Sequence, residues 1–151
     1  MIAPCGATPG GSSTHWGALI NTTETIDAVL ALKTWAIVGL GNNPERAAFG
    51  VAKLLQDKGH RIIPVYPRAE VVHGENGFKN LSEIPESVDV VDCFVNSTLV
   101  GKVVDEAIAI GAKAVWLQLD VVDNDAIARA QAAGLLTVMN RCPAIEYRAR
   151  A

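Results

Sequence analysis

The sequence predicts a single α/β domain, a Rossmann-like fold with a doubly wound parallel sheet. Three observations lead there. Short apolar runs rich in Val and Ile alternate with segments of helical period over residues 21–151, and strands alternating with helices build right-handed βαβ units. Half of the 151 residues are hydrophobic and only 5% are aromatic, as expected for strands covered on both faces. The stretch Val38–Gly50, VGLGNNPERAAFG, leads from an apolar run through glycines into a helical pattern. A strand, a glycine turn and a helix start expose backbone N–H groups to a phosphate. The spacing Gly39-Leu40-Gly41, with no third glycine three residues on, points to a phosphate-bearing nucleotide without saying which.

Residues 1–20 are rich in Gly, Ser, Thr and Pro and lack an apolar period. They are expected to form a flexible tail, carrying His15 and Trp16, ahead of a domain over 21–151. Asn21–Lys33 predicts a short helix, with Asn21 and Glu24 as a capping box and Ile26, Val29 and Leu30 on one face. Trp35–Leu40 is the first strand. Pro44 suits the first turn of the next helix, which runs to Lys58 with Gly50 in its first turns and Gly59 as its left-handed stop. Arg61–Tyr66 is a second buried strand, ending at Pro67-Arg68. From Ala69 to Ser87 the chain is irregular, with a short edge strand expected near Gly77–Lys79. Val88–Val95 is a strand rich in β-branched residues. Val100, Val103, Val104, Ala107 and Ile108 have the spacing of a core-facing helix, stopped by Gly111. A strand at Ala114–Leu119, a helix from Asp123 to Ala133 ended by Gly134, and a last strand at Leu135–Met139 follow. Arg141–Tyr147 closes the chain.

With the segment near Phe78 as strand 3, the expected strand order is 3-2-1-4-5-6. Open α/β sheets bind ligands where the strand order reverses. That point lies between the Gly39 loop and the end of Val88–Val95, so Gly39, Gly41, Asn42, Phe94, Asn96 and Ser97 should line one crevice.

Charge and cysteine usage narrow the partners. A formal net charge of −3 argues against non-specific nucleic-acid or anionic-membrane binding, which needs a broad basic field. Three widely spaced cysteines, Cys5, Cys93 and Cys142, make neither a disulfide framework nor a zinc pattern, and no metal is expected. The N-terminus lacks a signal-peptide pattern and no uncharged apolar run would span a bilayer. A soluble cytoplasmic protein is the expectation.

The end of the second strand bears on the ligand. NAD-binding domains usually place Asp or Glu there to accept from the adenosine ribose. This chain reads Val65-Tyr66-Pro67-Arg68, an arginine donor in place of an acceptor, which favours a nucleotide with an extra ribose phosphate. NADP and coenzyme A both qualify, and Arg68 could pair with either phosphate through two charge-assisted hydrogen bonds. Arg46 could neutralise a pyrophosphate. The plainer alternatives are a solvated Arg68 and an Arg46 paired with Glu45 or Asp57.

The stretches VGLGNNPERAAFGVAKLLQDKGHRIIPVYPRAE, GAKAVWLQLDVV and NRCPAIEY, in that order, resemble the small stand-alone CoA-binding proteins. Those are similar to the nucleotide-binding domain of succinyl-CoA synthetase α subunits and acyl-CoA ligases. The resemblance covers about residue 22 to the end and implies a Rossmann-like domain holding CoA or acyl-CoA across the strand ends. Carried over by position, it implies that Gly39, Gly41, Asn42 and Asn43 cradle the phosphates, with Arg46 at the helix opening. Tyr66, Pro67 and Arg68 would flank the adenosine, with Arg68 near the 3′-phosphate, and Val95, Asn96 and Ser97 would line the opposite wall. The chain departs from its relatives at Gly41, where they often carry Ser, at Tyr66, where they often carry Asn, and at Ala47, where they tend to carry Pro. Gly41 removes a hydroxyl donor, whereas Tyr66 could stack on adenine.

No catalytic constellation is recognised. A related CoA ligase needs a phosphate-accepting histidine and a separate ATP-binding domain, and His15, His60 and His73 lack carboxylate partners at motif spacing. The chain has no nucleophile elbow, zincin motif or P-loop lysine. Cys142, beside Arg141, is either a redox-responsive thiol or a small hydrophobe packing the chain end, with packing favoured. Asp89 and Asp92 fall on opposite faces of their strand and form no dyad. The expected function is a non-catalytic CoA or acyl-CoA binding module; an NADP-linked redox domain and a thiol enzyme on Cys142 are the alternatives.

Overall fold

Five parallel strands carry the molecule: β1 (Thr34–Val38), β2 (Arg61–Val65), β3 (Val90–Cys93), β4 (Ala114–Leu117) and β5 (Leu136–Val138). They form one sheet in the order β2-β1-β3-β4-β5. The computed structural model describes residues 20–151. The expected tail, with Cys5, His15 and Trp16, lies outside the described residues apart from Ile20.

The helices are α1 (Thr23–Leu30), α2 (Ala47–Asp57), α3 (Ser97–Ala109), α4 (Asn124–Ala132) and α5 (Pro143–Ala149). They cover both faces of the sheet. On one face Trp35, Ile37, Ile62 and Trp116 pack with Ile26 and Val29 of α1 and Val51 and Leu55 of α2, while Tyr147 of α5 closes over them. On the other, Ala36, Ile63, Val91 and Leu117 meet Val100 and Val104 of α3 and Ile127 of α4. Strand side chains alternate between the two faces, and both faces are apolar because both are buried. This is the α/β, Rossmann-like doubly wound fold that the alternation of strands and helices predicts.

The sixth strand is the correction. The segment near Phe78 makes a single parallel bridge, Val65↔Phe78, with Phe78 N–H donating to Pro64 O (3.0 Å) and Tyr66 N–H to Phe78 O (2.9 Å). It lies outside β2, where strand 3 was expected, but the tight turn Val72–Glu75 and the 3₁₀ turn Leu81–Glu83 leave no length for a ladder. The strand order is therefore 2-1-3-4-5.

Helix starts differ from expectation for side-chain reasons. Thr22, not Asn21, caps α1, its hydroxyl accepting from Thr25 N–H at 3.1 Å. Asn21 sits at φ +61 and brackets the end of β5: its amide nitrogen donates to Met139 O at 2.7 Å and its oxygen accepts from Met139 N–H at 2.9 Å. Pro44 lies ahead of α2 rather than in its first turn. Asn43 Oδ1 accepts from Glu45 N–H (3.0 Å) and Asn43 O from Arg46 N–H (3.1 Å), so a local turn lengthens the loop and Arg46 becomes the N-cap residue. The glycine stops Gly59, Gly111 and Gly134 all have positive φ, as their positions require.

Candidate functional site

The strand order reverses between β1 and β3, and the loops after β1, β2 and β3 meet at the C-terminal ends of these neighbouring strands. Gly39 opens the first loop. Its N–H donates to Val65 O at 2.8 Å, and Phe94 N–H donates to Val38 O at 2.8 Å, so the loop is tied to both neighbours. Gly39 has φ +99, and a Cβ there would lie 2.3 Å from Phe94 O. Only a residue without a side chain fits between the two strand ends. Gly41 lies under the Tyr66 ring, with the nearest ring carbon 3.2 Å from where a Cβ would stand.

The second wall is the turn Tyr66–Ala69, closed by Ala69 N–H donating to Tyr66 O at 2.8 Å. Pro67 presets the turn, and Arg68 projects into solvent. The turn segment is anchored to α2, because His73 Nε2 bonds Phe49 O (2.8 Å) and Gln56 donates to His73 O (3.1 Å). Arg46 and Arg68 are exposed, and neither is tied to a carboxylate, whereas Arg61, Arg129 and Arg150 are. Asp57, offered above as a partner for Arg46, pairs with Lys53 instead at 3.3 Å.

The third wall follows β3. Val95 is half-buried against the α3 side of the sheet. Asn96 caps α3, its Oδ1 accepting from Thr98 N–H (2.9 Å) and Oγ1 (2.9 Å). Ser97 Oγ accepts from Val122 N–H (2.9 Å) and donates to Asp120 O (3.3 Å). Asn96 Oδ1 and Ser97 Oγ are thus engaged in holding α3 and the loop after β4.

Two carboxylates here were not singled out as site residues. Glu70 follows the Tyr66 turn and reaches back to the glycine loop, where its Oε1 accepts from Asn42 N–H at 2.8 Å. No carboxylate stands at the end of β2 in the sequence; the reversal at Ala69, φ +50, supplies one from beyond the turn. Asp92 is fully buried on β3 between Ile37 and Trp116 of the adjacent strands, and neither of its oxygens has a hydrogen-bond partner. Burial pushes its carboxyl well above the usual carboxylate range. Gln118 Oε1, past the end of β4, is likewise buried and unpartnered. Burial in the presence of Asp92 also raises the Cys93 thiol.

The residues weighed for catalysis are engaged elsewhere. His60 is buried, bonded through Nδ1 to Leu32 O (2.9 Å) and through Nε2 to Tyr147 Oη (2.5 Å), and burial lowers its pKa. Cys142 is buried in the core beside α5. Asp89 accepts from Thr34 N–H (3.1 Å) and faces Lys113 (3.4 Å), away from Asp92. Among the described residues no group of three or more His, Cys, Asp or Glu could hold a metal ion, and no helix is long and apolar enough to cross a membrane.

Comparison with known proteins agrees with this architecture. A hypothetical protein from Pyrococcus horikoshii OT3 superposes with a TM-score of 0.81 at 38% identity, over 85% of this chain and 91% of that one. The uncharacterized protein YneT of Bacillus subtilis (strain 168) is 32% identical over 110 residues, 73% of this chain and 82% of that protein. The alpha subunit of the ADP-forming acetate–CoA ligase II of Pyrococcus furiosus is 35% identical over 71 residues, which make up 43% of this chain but only 16% of that subunit. The family model of the CoA binding domain matches residues 33–148, and the chain belongs to that family.

Proposed function

We propose that this member of the CoA-binding domain family is a non-catalytic module that holds coenzyme A or an acyl-CoA at the strand-order switch point. The observation that carries this reading is the pairing of a side-chain-free cradle with uncommitted cations. Gly39 and Gly41 bring bare backbone to the crevice, and Arg46 and Arg68 stand beside it without carboxylate partners. A pyrophosphate would take the N–H groups of Leu40–Asn43, that of Gly39 being committed to Val65 O, and the field of Arg46. The Tyr66 ring, already against Gly41, offers a face to adenine, and Arg68 in the adjoining turn offers its guanidinium fork to the ribose 3′-phosphate. Pro67 fixes the bend between them, and the backbone at Val95, Asn96 and Ser97 forms the facing wall.

The residues do not favour chemistry. His60 is packed against Leu32 and Tyr147, Cys142 is buried in the core and Asp92 lies within the sheet, so holding rather than transforming the nucleotide is the role proposed. NADP, the other nucleotide with an extra ribose phosphate, finds no support among the relatives.

A ligand at a hundred times its dissociation constant stabilises a fold by roughly 2.7 kcal/mol, which for a domain of this length means a melting shift on the order of 5–10 °C. CoA is expected to produce such a shift, and dephospho-CoA a smaller one. Arg68→Ala should bring CoA down to the dephospho-CoA level and leave dephospho-CoA itself unchanged. No shift with millimolar CoA would sink the proposal, and stronger protection by NADPH would reassign the ligand.

A further inference from the structure

Resting on that reading, we infer that Glu70 is an internal anion that competes for the phosphate position and must leave before a nucleotide binds, so that it sets the affinity of the site. The carboxylate Oε1 accepts from Asn42 N–H at 2.8 Å and lies 3.0 Å from where a Cβ on Gly41 would stand. It therefore sits on one of the backbone donors, Asn42 N–H, that the loop would present to a pyrophosphate.

The backbone beneath Glu70 is held firmly. Ala69 N–H closes the Tyr66 turn, and Val72 and Glu75 exchange hydrogen bonds at 3.0 and 2.9 Å. Gly77 packs so closely that a Cβ there would stand 2.2 Å from Glu70 O. The side chain thus reaches Asn42 from a fixed origin. Although Arg68 stands only two residues away, Glu70 makes no ion pair among the described residues and takes the loop amide instead. Anions that accept from N–H groups are interchangeable at such a position, but one amide cannot serve a carboxylate and a phosphate together. Like charges left side by side also repel.

Two consequences follow from that exchange. Glu70 satisfies the Asn42 amide and keeps the loop shaped for an anion. It also reduces the fraction of molecules open to the ligand, and apparent affinity falls with that fraction. A phosphate that displaces Glu70 gains only the difference between the two anions.

Glu70→Gln tests this, because the amide keeps the length and a neutral acceptor for Asn42 N–H. Calorimetric titration of both proteins with CoA and with inorganic pyrophosphate is expected to show the variant binding each anion about five- to tenfold more tightly. The Asn42 amide resonance should move on addition of pyrophosphate in both proteins. The ligand-free variant should melt within about 2 °C of the wild type, as for other surface changes. If the wild type binds CoA and the variant binds it equally or more weakly, Glu70 is a bystander or a ligand contact and the inference is overturned. If CoA binds neither protein while pyrophosphate binds the variant more tightly at Asn42, the inference stands and the CoA reading fails. If neither anion binds either protein, both are overturned.

Discussion

Replacing Asp92 by Asn should remove a pH-dependent burden from the fold, and its size follows from where the carboxyl sits. Asp92 is fully buried between Ile37 and Trp116, with no partner for either oxygen, and burial holds its pKa well above 3.8. In the unfolded chain it ionises near 3.8. Above that pH the unfolded state has released a proton that the folded state still carries. Folding stability therefore falls as pH rises, by about 1.4 kcal/mol per pH unit, until the folded carboxyl itself ionises. In a domain of this size 1 kcal/mol moves the melting temperature by roughly 2–4 °C, so the contribution amounts to about 3–6 °C per pH unit. Asn is close in shape and does not titrate. Its unpaired amide adds a cost, but that cost is the same at every pH, so the informative quantity is the change in the difference between variant and wild type. Thermal melts followed by circular dichroism at pH 5, 6 and 7, at constant ionic strength, should show that difference moving in favour of Asn at this rate for as long as the pH lies below the raised folded pKa. Other titrating groups cancel in the comparison. A difference that stays constant with pH would mean Asp92 is ionised in the folded protein, and the account of a buried neutral carboxyl would be wrong.

Gly39→Ala should cost about 2–4 kcal/mol, since a methyl at φ +99 would stand 2.3 Å from Phe94 O and the strand ends must part; urea denaturation measures it, and a loss under 1 kcal/mol would show that the loop yields easily. Tyr147→Phe should cost about 1–2 kcal/mol by removing the hydroxyl that bonds His60 Nε2 and stands 3.3 Å from Leu30 O, and the same melts read it. His60 acts in the opposite sense to Asp92. With its folded pKa lowered by burial from 6.5, its stabilisation is complete above 6.5 and is lost as pH falls through the lower folded value; a proton NMR titration of the ring should find its midpoint below 6.5.

The glycine loop was largely legible as a strand–turn–helix, because it depends on local pattern. An apolar run, two glycines and a helix period identify a strand–turn–helix whatever surrounds them, and parallel topology then directs the ligand to the strand ends. Arg68 was legible for the same reason, as the residue that follows a strand and a turn-forming proline. Glu70 was not. It stands in an irregular stretch, 28 residues from the Asn42 amide it meets, and nothing in its neighbours' spacing says that the chain doubles back at Ala69. Asn96 and Ser97 were expected in the crevice wall on topology, but only the packed loops reveal that their side chains are spent on a helix cap and on the loop after β4.

By itself the sequence determined the α/β class, the order of the helices and five strands, and the two buried faces. These follow from residue periodicity and from glycine's access to positive φ, which act over a few residues at a time. Tertiary structure alone decided the rest. It reduced the expected sixth strand to one bridge at Phe78, because the turn at Val72–Glu75 took up the chain needed for a ladder. It turned Asn21 from a helix cap into a clamp on Met139, 118 residues away, and it sealed Asp92 between two hydrophobic strands. Each outcome depends on which distant groups share a low-dielectric space or a free hydrogen bond, and no local pattern carries that information.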